Sequence, residues 1–236
     1  EYLLRDFVKP DWISQVDFTT LEKVNASYVT DDYRDRSDDL VWKVQWRQET
    51  VLYIYLLLEF QSTVDPFMAV RIMAYLGLLY QDLIKTKQLT KDRQLPPVLP
   101  IVLYHGQADS WNAKRDIQDL IAPWPASFEP YRPRVRYYLL EAAKYSTAEL
   151  APLLLQNAVA AVFQLEHDRS PEQVLTVLEA LSQWFTSPEQ RLLNEELTRW
   201  IRNFIIVPQL PNHQLETFTN LQELTTMLAT QLGDWT

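Results

Sequence analysis

Cysteine is absent from the 236 residues. That excludes a disulfide framework, thiolate zinc sites, iron–sulfur clusters and a cysteine nucleophile. Glycine is scarce: Gly77, Gly106 and Gly233 lie far apart, so there is no GxGxxG or GxxxxGK(S/T) loop to cradle a nucleotide phosphate. The longest apolar run, Val51 to Leu58, stops at Glu59 and is far too short to cross a bilayer. A basic segment followed by a small-residue cleavage site is also missing, so a cytoplasmic protein is the default expectation. His105, His167 and His213 show no zinc spacing. The chain opens on Glu1 rather than Met, and a piece of the natural N-terminus is expected to be missing.

Excess positive charge is lacking too. The 22 Lys and Arg stand against 31 Asp and Glu, for a net charge of −9, which argues against a surface coated for nucleic acid. The charge is uneven, however: residues 1–60 carry −5, residues 61–140 carry +3 and residues 141–236 carry −7. A polyanion would have to approach the middle segment.

The 47% hydrophobic content is enough for a sizeable core. A strand is expected around Leu21 to Val29. From Asp39 to Arg47 apolar and polar residues alternate, with Leu40, Trp42, Val44 and Trp46 on one face, the pattern of a half-buried strand. Val51 to Phe60 is β-branched, aromatic and apolar on both faces, and reads as a central, doubly covered strand. Asp65 and Pro66 suit the N-cap and N1 of a helix running to about Lys85 and packing on the sheet. Val98 to Tyr104 is another apolar strand, and Arg134 to Leu140 a further candidate. Beyond Glu141 the pattern is helical. Ser170-Pro171-Glu172-Gln173 and Ser187-Pro188-Glu189-Gln190 are near-identical helix starts with capping-box Gln, and a last helix is expected over Glu216 to Leu232. Residues 1–140 thus form an α+β core and residues 141–236 a helical C-terminal region. Eight tryptophans invite a stacking role, but Trp42, Trp46, Trp184 and Trp200 fall at apolar periodic positions that belong in a core.

Chemistry enters through the hairpin. With Gln48-Glu49-Thr50 as a three-residue loop, Arg47 faces Val51 and Asp39 lies directly opposite Glu59, with Gln61 two residues further along that face. A two-residue turn would make the relation diagonal. Like charges across a ladder are destabilising, and a carboxylate closing an apolar strand needs a partner. A hard cation such as Mg²⁺ meets both needs. The competing explanation is ordinary pairing of Glu59 with Lys43 or Arg71, with Asp39 simply opening a strand at the surface.

Asp39, then Glu59-Phe60-Gln61 closing a hydrophobic strand, then a helix, resembles the PD-(D/E)XK nuclease core with Gln in the place of the usual Lys. Arg36-Ser37-Asp38-Asp39-Leu40, Leu58-Glu59-Phe60-Gln61-Ser62, Asp65-Pro66-Phe67-Met68 and Leu99 through Gly106 together resemble the Rpn family of recombination-promoting nucleases, the YhgA-like proteins. The resemblance implies a restriction-endonuclease-like αβββαβ core with a mixed sheet, and a Mg²⁺- or Mn²⁺-dependent endonuclease acting on double-stranded DNA. Asp39 and Glu59 would hold the metal, with Asp39 preferred over Asp38. Gln61 would orient the attacking water or a phosphate oxygen. The family's upstream HDxxFK-like segment is not found in this sequence.

Arg71, near the positive end of its helix, and Lys43, His105, Lys85 and Lys87 are candidate DNA contacts. Their plain structural alternatives are an Arg71 ion pair with Tyr75 packed on the sheet, a strand-end histidine, and a solvated basic loop formed with Lys91 and Arg93. The other functional class is a degenerate nuclease fold that binds without catalysis, with dimerisation through the helical region.

Overall fold

The computed structural model describes residues 1–8, 11–24, 39–46, 50–59, 64–104, 106, 111–209 and 218–231. Gln61 and His105 lie outside these residues, and Asp39 and Glu59 are described by their backbone alone.

Five strands form one mixed sheet in chain order: β1 (Val16–Val24), β2 (Asp39–Trp46), β3 (Thr50–Glu59), β4 (Val98–Tyr104) and β5 (Tyr138–Glu141). The first three are mutually antiparallel, and β3, β4 and β5 are parallel. Helix α1 (Met68–Lys85) makes the crossover from β3 to β4, as a parallel pair requires. A short helical segment, Leu3–Val8, precedes β1. The order is therefore αβββαβ with one further parallel strand, in the α+β class expected.

The central strand is covered on both faces because both of its faces are apolar. Tyr53 and Tyr55 on one side, and Leu52 and Ile54 on the other, are all at most 5% exposed. Helix α1 lays Met68, Ala69, Ile72, Tyr75, Leu79 and Leu83 on the first side, against Val41, Tyr53, Tyr55 and Val102. Their spacing of three and four residues gives one continuous apolar stripe. On the other side Val44, Ile101 and Leu140 are buried, and the Tyr138 hydroxyl reaches the carbonyls of Phe7 and Val8 at 3.5 Å each.

Several boundaries differ from expectation. β1 begins at Val16, five residues early, because a bulge lets it pair twice with β2. Within the bulge the Asp17 carboxylate takes the Thr19 N–H and hydroxyl, and the Thr20 hydroxyl accepts the Gln45 N–H at 2.8 Å in place of a ladder bond. Helix α1 starts at Met68, since Asp65 caps the preceding turn instead, accepting the Phe67 N–H at 2.8 Å. Of the candidate strand at Arg134 to Leu140, residues 134–137 are not strand: an isolated antiparallel bridge joins Arg136 to Asp116, and β5 runs from Tyr138 to Glu141. Trp42, Trp46, Trp184 and Trp200 are half-buried rather than central to the core.

The chain divides into two compact units, one of Glu1 and Leu3–Ala142, the other of Tyr2 and Ala143–Thr236. The second is helical: α2 (Thr147–Leu150), α3 (Ala158–His167), α4 (Pro171–Trp184), α5 (Arg191–Ile201) and α6 (Leu221–Gln231). Val174, Val177, Leu178 and Leu181 of α4 and Leu221, Leu224 and Leu228 of α6 are buried within it. Ser187 forms the expected capping box with Gln190, though on a single 3₁₀ turn ahead of α5. Ser170 does not cap α4, because its N–H and hydroxyl go to Asp168, whose carboxyl they hold below its usual range. Asn220 sets the start of α6 later than Glu216 by accepting the Glu223 N–H at 2.9 Å. Among the described residues no helix is long and apolar enough to cross a membrane.

Candidate active site

The β2–β3 register decides how the two carboxylate residues relate. The strands close on Trp46 opposite Thr50, and Asp39 stands opposite Leu57 rather than Glu59. Three residues connect the strands, as expected, but they are 47–49 and not 48–50. Trp46 and Thr50, a good aromatic and β-branched cross-strand pair, enter the ladder. The slip moves the pairing by two positions, so side-chain parity is preserved. Asp39 and Glu59 therefore occupy one face of the sheet in a diagonal relation.

That face is the one under α1, and the place is its open end. β3 finishes at Glu59, β4 at Tyr104 and β5 at Glu141, and the register runs Glu59 to Tyr104 to Glu141 in a single row. Helix α1 begins at the same end. There Arg71 pairs with Asp65 at 3.5 Å, and Tyr75, fully buried, stacks on Tyr55 with ring centroids 5.5 Å apart.

The other candidate contacts are dispersed. Lys43 pairs with Glu22 at 3.1 Å; four residues along β2 put it about 13 Å from Asp39. Lys85 ends α1, roughly 20 Å along the axis from Arg71, and Lys87 follows it with φ 58°. Both face water at the far end of the sheet.

What sequence reasoning missed is the segment that covers the ends of β4 and β5. The Trp111 ring meets Tyr104 edge-on at 5.0 Å and Tyr137 at 6.1 Å. Gly106 permits this packing: a Cβ there would collide with the Tyr104 ring. Tyr137 is 2% exposed and donates its hydroxyl to the Lys114 carbonyl at 3.1 Å. Burial pushes its pKa up to about 12; Asp65 adds to the rise, while the neighbouring Trp111 indole and the Arg115 charge oppose it. Arg115 in turn pairs with Glu141 at 3.6 Å. The only available signal for Glu141 was an acid immediately after three apolar residues, the same pattern that singled out Glu59.

Asp39 and Glu59 are of the residue types that carry hard oxygen donors, which suit Mg²⁺ or Mn²⁺. Among the described residues no group of three or more His, Asp or Glu side chains forms a metal cluster.

A family model described as "Putative transposase, YhgA-like" matches residues 1–192. Recombination-promoting nuclease RpnA of Escherichia coli K12 is 36% identical over 90 residues, covering 38% of this chain and 29% of that protein. Recombination-promoting nuclease RpnD of Escherichia coli O157:H7 is 35% identical over 106 residues, covering 43% and 39% respectively. The chain thus spans less than two fifths of the length of these curated relatives. No solved structure matches it.

Proposed function

The chain belongs to the YhgA-like putative transposase family, and on that premise we propose that its first unit is a metal-dependent endonuclease hydrolysing phosphodiester bonds of double-stranded DNA. The relatives' names tie such a nuclease to recombination. The observation that carries the reading is the register: it sets Asp39 and Glu59 on one face at the sheet end where α1 begins.

Asp39 and Glu59 would hold the divalent ion. When bound, such an ion lowers the pKa of a water and neutralises charge on the phosphate. Gln61 would orient the attacking water or a phosphate oxygen through its amide; being neutral, it cannot take the general-base part a lysine plays. Arg71, fixed by Asp65 in the first turn of α1, adds positive charge at that end. The buried Tyr104 and Tyr137, with the half-buried Trp111 against them, would limit water at the rear of the site.

The test is plasmid nicking by the chain with Mg²⁺, with EDTA, and after Glu59→Ala. Cleavage that requires both metal and Glu59 supports the proposal. A folded chain that binds DNA without cutting it under any divalent ion would replace the nuclease with a binding module, the outcome favoured by Gln61 standing where the fold's usual lysine would be.

A further inference from the structure

We infer that Arg115 binds a phosphate of the DNA backbone beside the proposed cleavage site, and that the buried Glu141 positions it. The inference rests on the nuclease reading and adds to it a DNA ligand that lies 56 residues downstream of Glu59.

Placement comes first. Glu59, Tyr104 and Glu141 are successive neighbours in one row of parallel strands, so the Glu141 backbone stands about 10 Å from that of Glu59. The Glu141 side chain is 6% exposed and that of Arg115 is 47% exposed, with Nη2 to Oε1 at 3.6 Å. A buried carboxylate needs a cation. Arg115 supplies one and still keeps about half its side-chain surface in water, within reach of a further anion. Among the described residues its side chain makes no other ion pair or hydrogen bond, which leaves most of its five N–H donors for an incoming anion.

The backbone around Arg115 is held on both sides. Its carbonyl accepts the Tyr137 N–H at 3.2 Å, the Ile117 N–H goes to the Val135 carbonyl at 3.1 Å, and the Lys114 carbonyl takes the Tyr137 hydroxyl. Trp111 packs the start of the segment onto Tyr104. The backbone that carries the guanidinium is thus fixed, so less conformational freedom is lost on gripping a phosphate than from an unanchored loop. Lys114 and, across the bridge from Asp116, Arg136 are also exposed. With Arg115 they make three exposed cations on two bridged stretches that also carry Asp116, in a chain whose net charge is −9 and within the one third of the sequence that is positive.

The experiment measures binding of a short DNA duplex to the full chain in EDTA across a salt series, alongside plasmid cleavage in Mg²⁺. Arg115→Gln is expected to weaken binding about tenfold and to make the salt dependence shallower by about 0.9 in log–log slope. Arg115→Lys keeps the slope and loses about threefold, because the fork geometry is gone; it carries the test if the Gln variant does not fold. Glu141→Gln should bind at least as tightly as the parent yet cut more slowly at saturating DNA, since it frees the guanidinium while releasing its position. An exposed cation at the far end, changed as Arg93→Gln, leaves both readouts unmoved. Parental affinity and slope for the Arg115 variants, in a chain that binds and cuts DNA, overturn the inference and leave the nuclease standing. A parent chain that neither binds nor cuts takes both readings down.

Discussion

At the end of the sheet where β3, β4 and β5 finish, the fold assembles charge: Asp65 with Arg71, and Arg115 with the buried Glu141, in the row that starts at Glu59. At the opposite end the same strands and the same helix are fastened by neutral bonds. The Tyr53 hydroxyl donates to the Gln88 side chain at 2.7 Å, the Tyr53 N–H goes to the Pro97 carbonyl, and Thr86 returns its hydroxyl to the Asp82 carbonyl. The first end draws its residues from four separate stretches of chain. The second is mostly local to residues 82–97. The contrast explains why a run of lysines in sequence is a poor guide to a binding site. Lys85, Lys87 and Lys91 are neighbours in the chain and lie at the closed end, whereas Arg71 and Arg115, 44 residues apart, each pair with a carboxylate at the open one.

Both ends hang on one packed face, so the largest effect is expected where α1 meets β3. Tyr75 is fully buried and stacked on Tyr55. Tyr75→Ala should cost about 3–5 kcal/mol of stability and loosen both ends together, read as a lower urea midpoint. If only one end gained hydrogen exchange, the two would be independent and the comparison would be wrong.

The next largest effect separates the ends by pH. Tyr137 at the open end is neutral when folded and holds its proton up to about 12, against 10 for an ordinary tyrosine. The unfolded chain therefore loses that proton first. The stability Tyr137 contributes is complete below pH 10 and is lost as pH rises to about 12, at up to about 1.4 kcal/mol per pH unit. Tyr137→Phe should flatten that fall in a series of unfolding curves. Tyr53 and Tyr80, raised also by burial, would retain a share of it. An unchanged slope in the Phe variant would show that the segment over β5 is already open at alkaline pH.

Gly106→Ala is a smaller blow to the same end. A Cβ would strike the Tyr104 ring, and displacing that ring costs about 1–3 kcal/mol. It should also disturb Trp111, giving a change in tryptophan fluorescence without any change around Tyr53.

How far this was legible in the sequence follows from range. β4 reads as Val98 to Tyr104 and is found there, because a short apolar run bounded by Pro97 and His105 admits one interpretation. The shared face of Asp39 and Glu59 survived a two-position error in the pairing, since an even slip keeps parity; their direct opposition did not survive it. Helix α1 was clear in extent, but Asp65 serves a turn and an ion pair rather than its cap. Glu141 and Arg115 were invisible because nothing local marks β5 as parallel to β4, and only that pairing brings residue 141 level with residue 59. Ser170 misled for the opposite reason: its motif was right for a cap, and a neighbour two residues back took the hydroxyl.

The smallest expected effect sharpens the comparison most, because it assigns one candidate DNA contact a different task. Lys87 adopts φ 58° just past α1, its N–H reaching the Ile84 carbonyl at 3.2 Å and the Gln88 N–H reaching the Leu83 carbonyl at 2.8 Å. That is the left-handed terminating position glycine usually fills. Any side chain with a Cβ is strained there, so Lys87→Gly should relieve strain, offset in part by the freer unfolded chain, and raise stability by about 0.5–1 kcal/mol. Its charge is exposed at the closed end, so DNA affinity and salt slope should not move. A gain in stability with unchanged binding makes Lys87 a helix stop. A loss of binding comparable to that of Arg115→Gln would instead mean that DNA reaches along the whole length of α1, and that the open and closed ends share one surface.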